Sequence, residues 1–159
     1  MKWTDVEIWR YLLDRHGESV YVEDLCFNFG MTRRQMLARM SAFEHIMPIK
    51  KVEGKDVSYA ITAAPQERID ATAKVLASFY GCSPSRILGV TQAISIAGYM
   101  SLEEISKITD LPTRDLAYML RVMPNVMMTK DYNKKNHYIR RNDCVPDNLG
   151  IADACAQFS

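Results

Sequence analysis

The pattern of apolar and polar positions between Val22 and Tyr59 occurs a second time about eighty residues later in the chain. The first copy begins VEDLCFNFGMTRRQMLARMSAFE at Val22, and the second begins LEEISKITDLPTRDLAYMLRVMP at Leu102. Arg34 and Arg114 are identical and charged at matching positions. The other matched pairs are apolar in both copies: Leu25 and Ile105, Met31 and Leu111, Met36 and Leu116, Met40 and Leu120. A pattern repeated in this way indicates two copies of one supersecondary unit, so the sequence predicts two similar domains.

Each copy is predicted to form a helix, a turn, a second helix and a β-hairpin. In the first copy a short helix ends near Gly30, a residue that readily adopts the positive φ of a helix C-terminus. Thr32 then caps a second helix, with Gln35 as its capping-box partner. Extended runs at 49–52 and 57–61 surround a loop that contains Gly, and they predict the hairpin. Three- and four-residue spacing gives the second helix an apolar stripe, which consists of Met36, Leu37, Met40 and Phe43.

The second copy carries the same signals in different residues. Ser101 and Glu104 form the predicted capping box of its first helix, and Pro112 takes the place of Thr32 before its second helix. Extended runs at 127–130 and 137–141 predict the second hairpin, with a longer loop between them. The apolar stripe of the second helix consists of Leu116, Leu120 and Met123.

A further helix is predicted before each copy. Thr4 and Glu7 suggest a capping box for the first of these helices, and Ser83 and Pro84 begin its counterpart at an offset of 81 residues. The apolar face of the first helix comprises Val6, Trp9, Leu12 and Leu13. The apolar face of the counterpart comprises Ile87, Val90, Ala93, Ile94 and Ala97. Both Trp9 and its neighbour Trp3 are expected to pack in a core or between domains.

The residues between the copies predict a connecting helix rather than a flexible linker. Residues 66–80 place apolar side chains on one helical face, and Gly81 follows as a stop signal. That face suits either a bridge between the two units or the seam of a homodimer. A unit of about 60 residues buries only about 60% of its unfolded surface, so the units are expected to share an interface or this helix.

The predicted fold class is mainly α with small β-hairpins, that is, α+β. The predicted domains are a first helix-turn-helix and hairpin domain at 1–62, the connecting helix at 63–82 and a second such domain at 83–141. An acidic tail follows at 142–159.

A helix, a short turn, a second helix that opens with Thr or Arg, and then a hairpin resemble the winged helix-turn-helix fold. The resemblance covers residues 1–62 and 83–141, so the chain resembles a tandem pair of such domains. Pairs of this kind occur in archaeal, phage and plasmid DNA-binding regulators. The resemblance implies a regulator, of transcription for example, that binds double-stranded DNA with two recognition helices.

The net charge of the chain is only +1, so the charge alone does not indicate a nucleic-acid partner. Residues 1–62 hold nine Lys or Arg and nine Asp or Glu. Residues 63–141 hold eleven against seven, and the tail holds three Asp and no cation. The prediction of DNA binding therefore depends on where the cations lie.

In helix-turn-helix proteins the N-terminal residues of the second helix contact base edges in the major groove. The resemblance implies that the first recognition helix presents Thr32, Arg33, Arg34, Gln35 and Arg39. It implies that the second presents Thr113, Arg114, Tyr118 and Arg121. The hairpins are expected to bring further cations to phosphates or a minor groove. These residues are Lys51, Lys55, Lys134, Lys135, His137 and Arg140.

A protein-binding scaffold is the alternative function. Tandem winged helices also hold protein partners, as in the kleisin-associated subunits of condensin-type complexes, where near-neutral charge is expected. Asp115 lies in the second recognition helix, and Glu44 and Glu53 lie near the first, where acidic groups more often repel a DNA backbone. The neutral first unit could therefore hold a protein while only the second unit contacts DNA.

Other function classes receive little support from the sequence. The three histidines have no ligand-spaced neighbours, the four cysteines lack CxxC spacing, and the glycines form no phosphate-binding loop. We therefore predict no enzyme, no metal and no cofactor. No apolar run approaches the roughly 18 residues of a membrane span, so a soluble, cytoplasmic protein is expected. Its predicted partners are double-stranded DNA and either a second copy of itself or another protein.

Overall fold

The computed structural model describes residues 1–130 and 136–140. The chain divides into two compact units: unit 1 comprises Met1–Ala71, and unit 2 begins at Thr72. Each unit is mainly helical and contains one small antiparallel sheet. The predicted α+β class, with helix predominating, is therefore confirmed.

Unit 1 contains three helices followed by a hairpin, and a short additional strand after its first helix. The elements are α1 (Trp3–Asp14), β1 (Val20–Tyr21), α2 (Val22–Phe29), α3 (Arg33–Ile46), β2 (Ile49–Val52) and β3 (Ser58–Ile61). A long helix, α4 (Pro65–Tyr80), follows, and the division between the units falls inside it.

The described part of unit 2 repeats the element order of unit 1. Its elements are α5 (Pro84–Ala97), β4 (Tyr99–Ser101), α6 (Leu102–Thr109), α7 (Thr113–Val122), β5 (Val126–Lys130) and β6 (Asn136–Arg140). The strand orders also correspond, since β1-β3-β2 in unit 1 matches β4-β6-β5 in unit 2. Val20 faces Tyr59 in the first sheet, and Met100 faces Tyr138 in the second. The sequence repeat is thus a repeat of local structure.

Several helix ends lie where the local signals predict them. The Thr32 hydroxyl accepts a hydrogen bond from the Gln35 amide at 3.2 Å, and the Thr32 amide donates to Gln35 Oε1 at 3.0 Å. Ser101 and Glu104 form the same box at 3.2 and 3.4 Å. The start of α1 was predicted wrongly. This helix begins at Trp3, and Asp5 accepts a hydrogen bond from the Lys2 amide at 2.9 Å.

The predicted apolar stripes form most of the core. Val6, Trp9, Leu12 and Leu13 of α1 are buried, as are the methionines of α3 and the leucines of α7. Trp3 differs from the prediction because its side chain is 57% exposed. Ala93 and Ala97 of α5 are also not buried. Half of the sixteen residues of α4 are buried. No helix in the described ranges is long and apolar enough to cross a lipid bilayer.

Both predicted hairpins form, with ends that differ from the predictions by about one residue. Each sheet has a third strand that the sequence did not predict, because β1 and β4 have only two and three residues. Such short segments carry almost no periodicity, and their pairing partners lie far away in sequence. The third strand makes β3 and β6 the central strands of their sheets.

The turn between the second and third helix of each unit uses a left-handed residue. Gly30 has φ 62° at the end of α2, and Asp110 has φ 56° at the corresponding end of α6. Glycine adopts this conformation without steric cost, whereas other L-residues are strained there. The turn fixes the direction in which α3 and α7 leave it, so this backbone position matters for the site described below.

Replacing Gly30 with alanine is expected to lower the stability of unit 1 by about 1–2 kcal/mol, because the added Cβ disfavours the left-handed backbone. Gly54→Ala is the matched control, since Gly54 lies in a hairpin loop outside the left-handed region and its Cβ meets no atom within 4 Å. Urea denaturation of the two variants measures the difference. Equal stability of both variants would show that the turn tolerates a side chain.

Candidate nucleic-acid interface

One arginine occupies the same place in both units, at the second position of the third helix. Arg34 follows the first residue of α3, and Arg114 follows the first residue of α7. Both side chains are exposed, Arg114 by 95%. Arg34 has no hydrogen-bond or ion-pair partner in the part of the chain that the structure describes, and the nearest carboxylate to Arg114 is that of Asp115 at 4.0 Å. Each unit therefore presents a guanidinium group to solvent at the start of this helix.

The other two arginines of α3 form ion pairs within unit 1. Arg33 is paired with Glu23 of α2, and Arg39 is paired with Asp5 of α1. The Arg39 and Asp5 side chains are only 28% and 13% exposed, so this pair ties α3 to α1. Both arginines were predicted to contact DNA; in the structure their guanidinium groups contact carboxylates of the same unit. Arg34 remains as the unneutralised arginine of this helix.

The remaining predicted residues at the start of α3 cap the helix. Thr32 and Gln35 bond to each other's backbone amides, so the Gln35 carbonyl oxygen is already an acceptor. A bidentate contact with adenine needs both the oxygen and the amino group of glutamine. Gln35 would have to weaken its capping bond to make that contact.

The hairpin of unit 1 carries a cation that the sequence analysis missed. Lys51 is paired with Glu53 at 3.2 Å, whereas Lys55 is exposed in the loop. Lys50, which was not predicted, is also exposed, and it lacks a charged partner among the described residues. The two-residue period of β2 carries the missed signal, because it places neighbouring lysines on opposite faces of the strand.

In unit 2, two cations lie on one face of α7. Arg114 and Arg121 are seven residues apart, which is two helical turns and roughly 10 Å along the axis. Arg121 is exposed and borders a groove formed with Met127, Met128 and Tyr138. Thr113 is exposed beside Arg114. These residues form one polar stripe along the helix.

Tyr118 is less accessible to a DNA base than the sequence predicted. Its ring lies edge-on to Phe79 of α4, with the ring centroids 6.5 Å apart, and the side chain is half-buried. Phe79 also contacts Tyr80, whose hydroxyl donates to the Asp115 carbonyl at 3.5 Å. Tyr118 thus belongs to an aromatic cluster that holds α7 against α4, which limits its reach towards a base.

The structure places the predicted DNA-contact residues of the unit 2 hairpin in different surroundings. His137 is 8% exposed, and its ring centroid lies 4.8 Å from that of Tyr99. It lies on β6, the central strand, opposite Ser101 and Thr129, so this burial opposes the predicted phosphate contact. Lys134 and Lys135 lie outside the described residues, as does the side chain of Arg140. Lys130 of β5 is exposed and was missed by sequence reasoning.

A buried tyrosine lies under the cation at the end of α7. Burial raises the pKa of the Tyr138 hydroxyl, Arg121 lowers that pKa, and Glu103 raises it. Since the net shift is upward, Tyr138 is uncharged at neutral pH and does not neutralise Arg121. Arg121 itself is exposed.

Among the described residues, six cations on or beside α3, α7 and the hairpins are exposed and not strongly paired. They are Arg34, Lys50 and Lys55 in unit 1, and Arg114, Arg121 and Lys130 in unit 2. Within residues 1–130 and 136–140 there is no group of three or more His, Cys, Asp or Glu that could hold a metal ion. Guanidinium and ammonium groups on a helix and an adjacent hairpin are suited to bind phosphates and base edges.

Comparison of the chain with models of protein families gave no match, and neither did comparison with curated protein sequences.

Proposed function

We propose that each unit is a winged helix-turn-helix domain and that the chain binds double-stranded DNA as a regulator of transcription. The observation that carries the proposal is the repeated, exposed arginine at the second position of α3 and of α7. In this fold the start of the second helix of the motif enters the major groove. Arg34 and Arg114 would then lie where a guanidinium can bond guanine O6 and N7.

The electrostatics of the helix supports this proposal. A positive charge in the first turn opposes the helix dipole and costs about 0.3–1 kcal/mol. Neither Arg34 nor Arg114 recovers that cost through a close ion pair with a neighbouring helix. A contact with an anion outside the unit would recover it. DNA phosphates and the acceptor edges of guanine are such partners.

The hairpins supply the second part of the proposed interface. Lys50 and Lys55 in unit 1, and Lys130 in unit 2, place ammonium groups on or beside the hairpin that follows the recognition helix. Contacts of this kind position a protein on the duplex without reading its sequence. Lys134, Lys135 and Arg140 stay in the proposed set on the sequence prediction alone.

In this proposal the two units of one chain take the place of the two halves of a dimer. Recognition helices about 34 Å apart on one side of the duplex would cover adjacent half-sites. We also propose that the protein acts in the cytoplasm and that it forms a homodimer.

A second candidate function for unit 1 is supported by its own surface. The ion pairs of Arg33 and Arg39 leave its recognition helix with one unneutralised arginine. Phe27 of α2 is 89% exposed, and Tyr21 just before α2 is 46% exposed. Exposed aromatic residues of this kind are common in protein interfaces. Unit 1 would then hold a protein partner while unit 2 binds DNA.

Fluorescence anisotropy with a labelled duplex of random sequence tests the proposal and separates the two candidates. Arg34→Ala/Lys50→Ala removes two cations from unit 1, and Arg114→Ala/Arg121→Ala removes two from unit 2. We expect each pair to weaken binding at least about tenfold at low salt. Loss in the unit 2 variant alone would exclude unit 1 from DNA binding and leave protein binding as its candidate function. Absence of binding by the wild type at about 50 mM salt would contradict DNA binding altogether.

A further inference from the structure

Unit 2 contains an open cavity of about 240 Å³ between α5 and α6. Its floor is apolar: Val90, Met100 and Ile105 are each at least 94% buried. Gly89 and Ala93 of α5 form one wall, and Ile108 of α6 is part of the rim. The cavity lies entirely within unit 2.

Comparison of the two units explains why the cavity exists. Helices α1 and α5 correspond at an offset of 81 residues, so Val6 matches Ile87 and Leu13 matches Ile94, and all four are buried. At the same offset three large side chains of α1 are replaced by smaller ones in α5. Ile8, Trp9 and Leu12, which are 0%, 0% and 1% exposed, correspond to Gly89, Val90 and Ala93. Unit 2 has lost side-chain volume where unit 1 is filled.

The glycine in this helix is not required by its surroundings. Gly89 lies in the middle of α5 outside the left-handed region, and a Cβ at this position would meet no atom within 4 Å. Glycine inside a helix costs about 1 kcal/mol relative to alanine. Neither backbone conformation nor close packing explains this cost. At this exposed position the glycine leaves the opening between α5 and α6 free of a side chain.

The mouth of the cavity carries one cation. Arg86 lines the opening, and one of its terminal nitrogens donates to the Thr109 carbonyl at 2.7 Å. A guanidinium has five N–H donors. No carboxylate among the described residues pairs with Arg86. Unused donors therefore remain at the edge of an apolar space.

We propose that this cavity is a binding site for a small aromatic carboxylate. The ring would lie on Val90, Met100 and Ile105, and the carboxylate would bond to Arg86 in the charge-assisted manner typical of guanidinium groups. An enclosed apolar cavity of about 150 Å³ holds benzene. The open cavity here has a volume of about 240 Å³, which suits a substituted ring with its carboxylate at the mouth. The site does not depend on DNA binding, because it uses none of the proposed DNA contacts.

Fluorine NMR with three labelled probes tests this assignment. The probes are 4-fluorobenzoate, 4-fluorophenylacetate and 5-fluoroindole-3-acetate, with 4-fluorotoluene as the uncharged comparison. We expect the wild-type chain to bind at least one carboxylate with a Kd below about 5 mM. We expect Arg86→Met to weaken that binding about tenfold or more, because it keeps the aliphatic stem and removes the charge.

A variant that restores two of the three larger unit 1 residues is the decisive test of location. Gly89→Ile/Ala93→Leu fills the space, so carboxylate binding should be lost while the melting temperature stays equal or rises. Gly89→Ala is the matched control, which removes the helical glycine but leaves most of the cavity open and should still bind. No binding of any probe to the wild type at about 5 mM would overturn the proposal. Equal binding to the filled variant, or equal affinity for 4-fluorotoluene, would also overturn it.

DNA affinity measured on the same variants keeps this result separate from the proposed function. The filled variant is expected to bind duplex DNA as the wild type does in the absence of a probe. A wild-type chain that binds no DNA but binds the carboxylate at this site would leave the cavity assignment intact.

Discussion

Replacing Trp9 with alanine is expected to destabilise unit 1 by about 3–5 kcal/mol. Trp9 is 0% exposed and is the largest of the fully buried side chains of the described residues. Its removal takes away apolar contacts and leaves a cavity that its neighbours cannot fill completely. For a unit of this size each kcal/mol lowers the melting temperature by about 4–8 °C. The expected loss is therefore more than about 10 °C in a thermal melt followed by circular dichroism.

Trp3→Ala is the matched control for this prediction. Trp3 is also a tryptophan of α1, but its side chain is 57% exposed. Surface substitutions of this kind usually change stability by less than about 0.5–1 kcal/mol. A Trp9→Ala variant that melts with the Trp3→Ala variant would show that α1 does not form the centre of the unit 1 core.

The double variant Arg34→Ala/Arg114→Ala is expected to lose most of the affinity of the chain for duplex DNA. A contact of arginine with a base edge or phosphate is worth about 1–3 kcal/mol, so two contacts give a loss of thirtyfold or more. Both arginines are exposed on the first turn of their helices, so their removal should leave the melting temperature unchanged or slightly raised. Fluorescence anisotropy and a thermal melt on the same preparation measure the two effects.

Arg33→Ala/Lys74→Ala has the same change in net charge and serves as the control. Arg33 is already paired with Glu23, and Lys74 is exposed on α4, outside both α3 and α7. We expect this control to bind DNA within about threefold of the wild type, because only the general attraction of the chain for DNA is reduced. An equal loss of affinity in both double variants would mean that net charge alone governs binding, with no special role for the repeated arginines.

Local signals in the sequence predicted the helices and most of their ends. The capping boxes at Thr32 and Ser101, the left-handed Gly30 and the stop at Gly81 all depend on residues within one helical turn. Signals that span only one helical turn can be recognised without knowing the tertiary fold. The sequence repeat also predicted that the two units contain corresponding elements.

Interactions between distant residues could not be predicted in the same way. Arg39 meets Asp5 across 34 positions of the chain, and Arg33 meets Glu23 across ten. No local pattern distinguishes these two arginines from Arg34, although only Arg33 shares the first turn of α3 with Arg34. The sequence therefore could not show that Arg33 and Arg39 lie beside carboxylates of the same unit, whereas Arg34 does not.

His137 illustrates a related limit. Its position in the chain indicated an exposed hairpin residue, because β4 was too short to be recognised as a third strand. Pairing with β4 makes β6 a central strand, and His137 is buried beside Tyr99. The prediction for Ala93 was wrong in the opposite sense. Periodicity placed Ala93 in the core, but the small residues of α5 leave that part of unit 2 open.

The dependence of duplex binding on salt tests DNA recognition by this chain most directly. The proposed contacts comprise the six exposed cations together with Lys134, Lys135 and Arg140, so log K is predicted to fall with log salt with a slope of about −5 to −8, since each neutralised phosphate contributes about 0.9. Removal of Arg34 and Arg114 together should make that slope shallower by about 2. A slope near zero, or no binding to duplex DNA at about 50 mM salt, would contradict DNA binding and favour a protein partner.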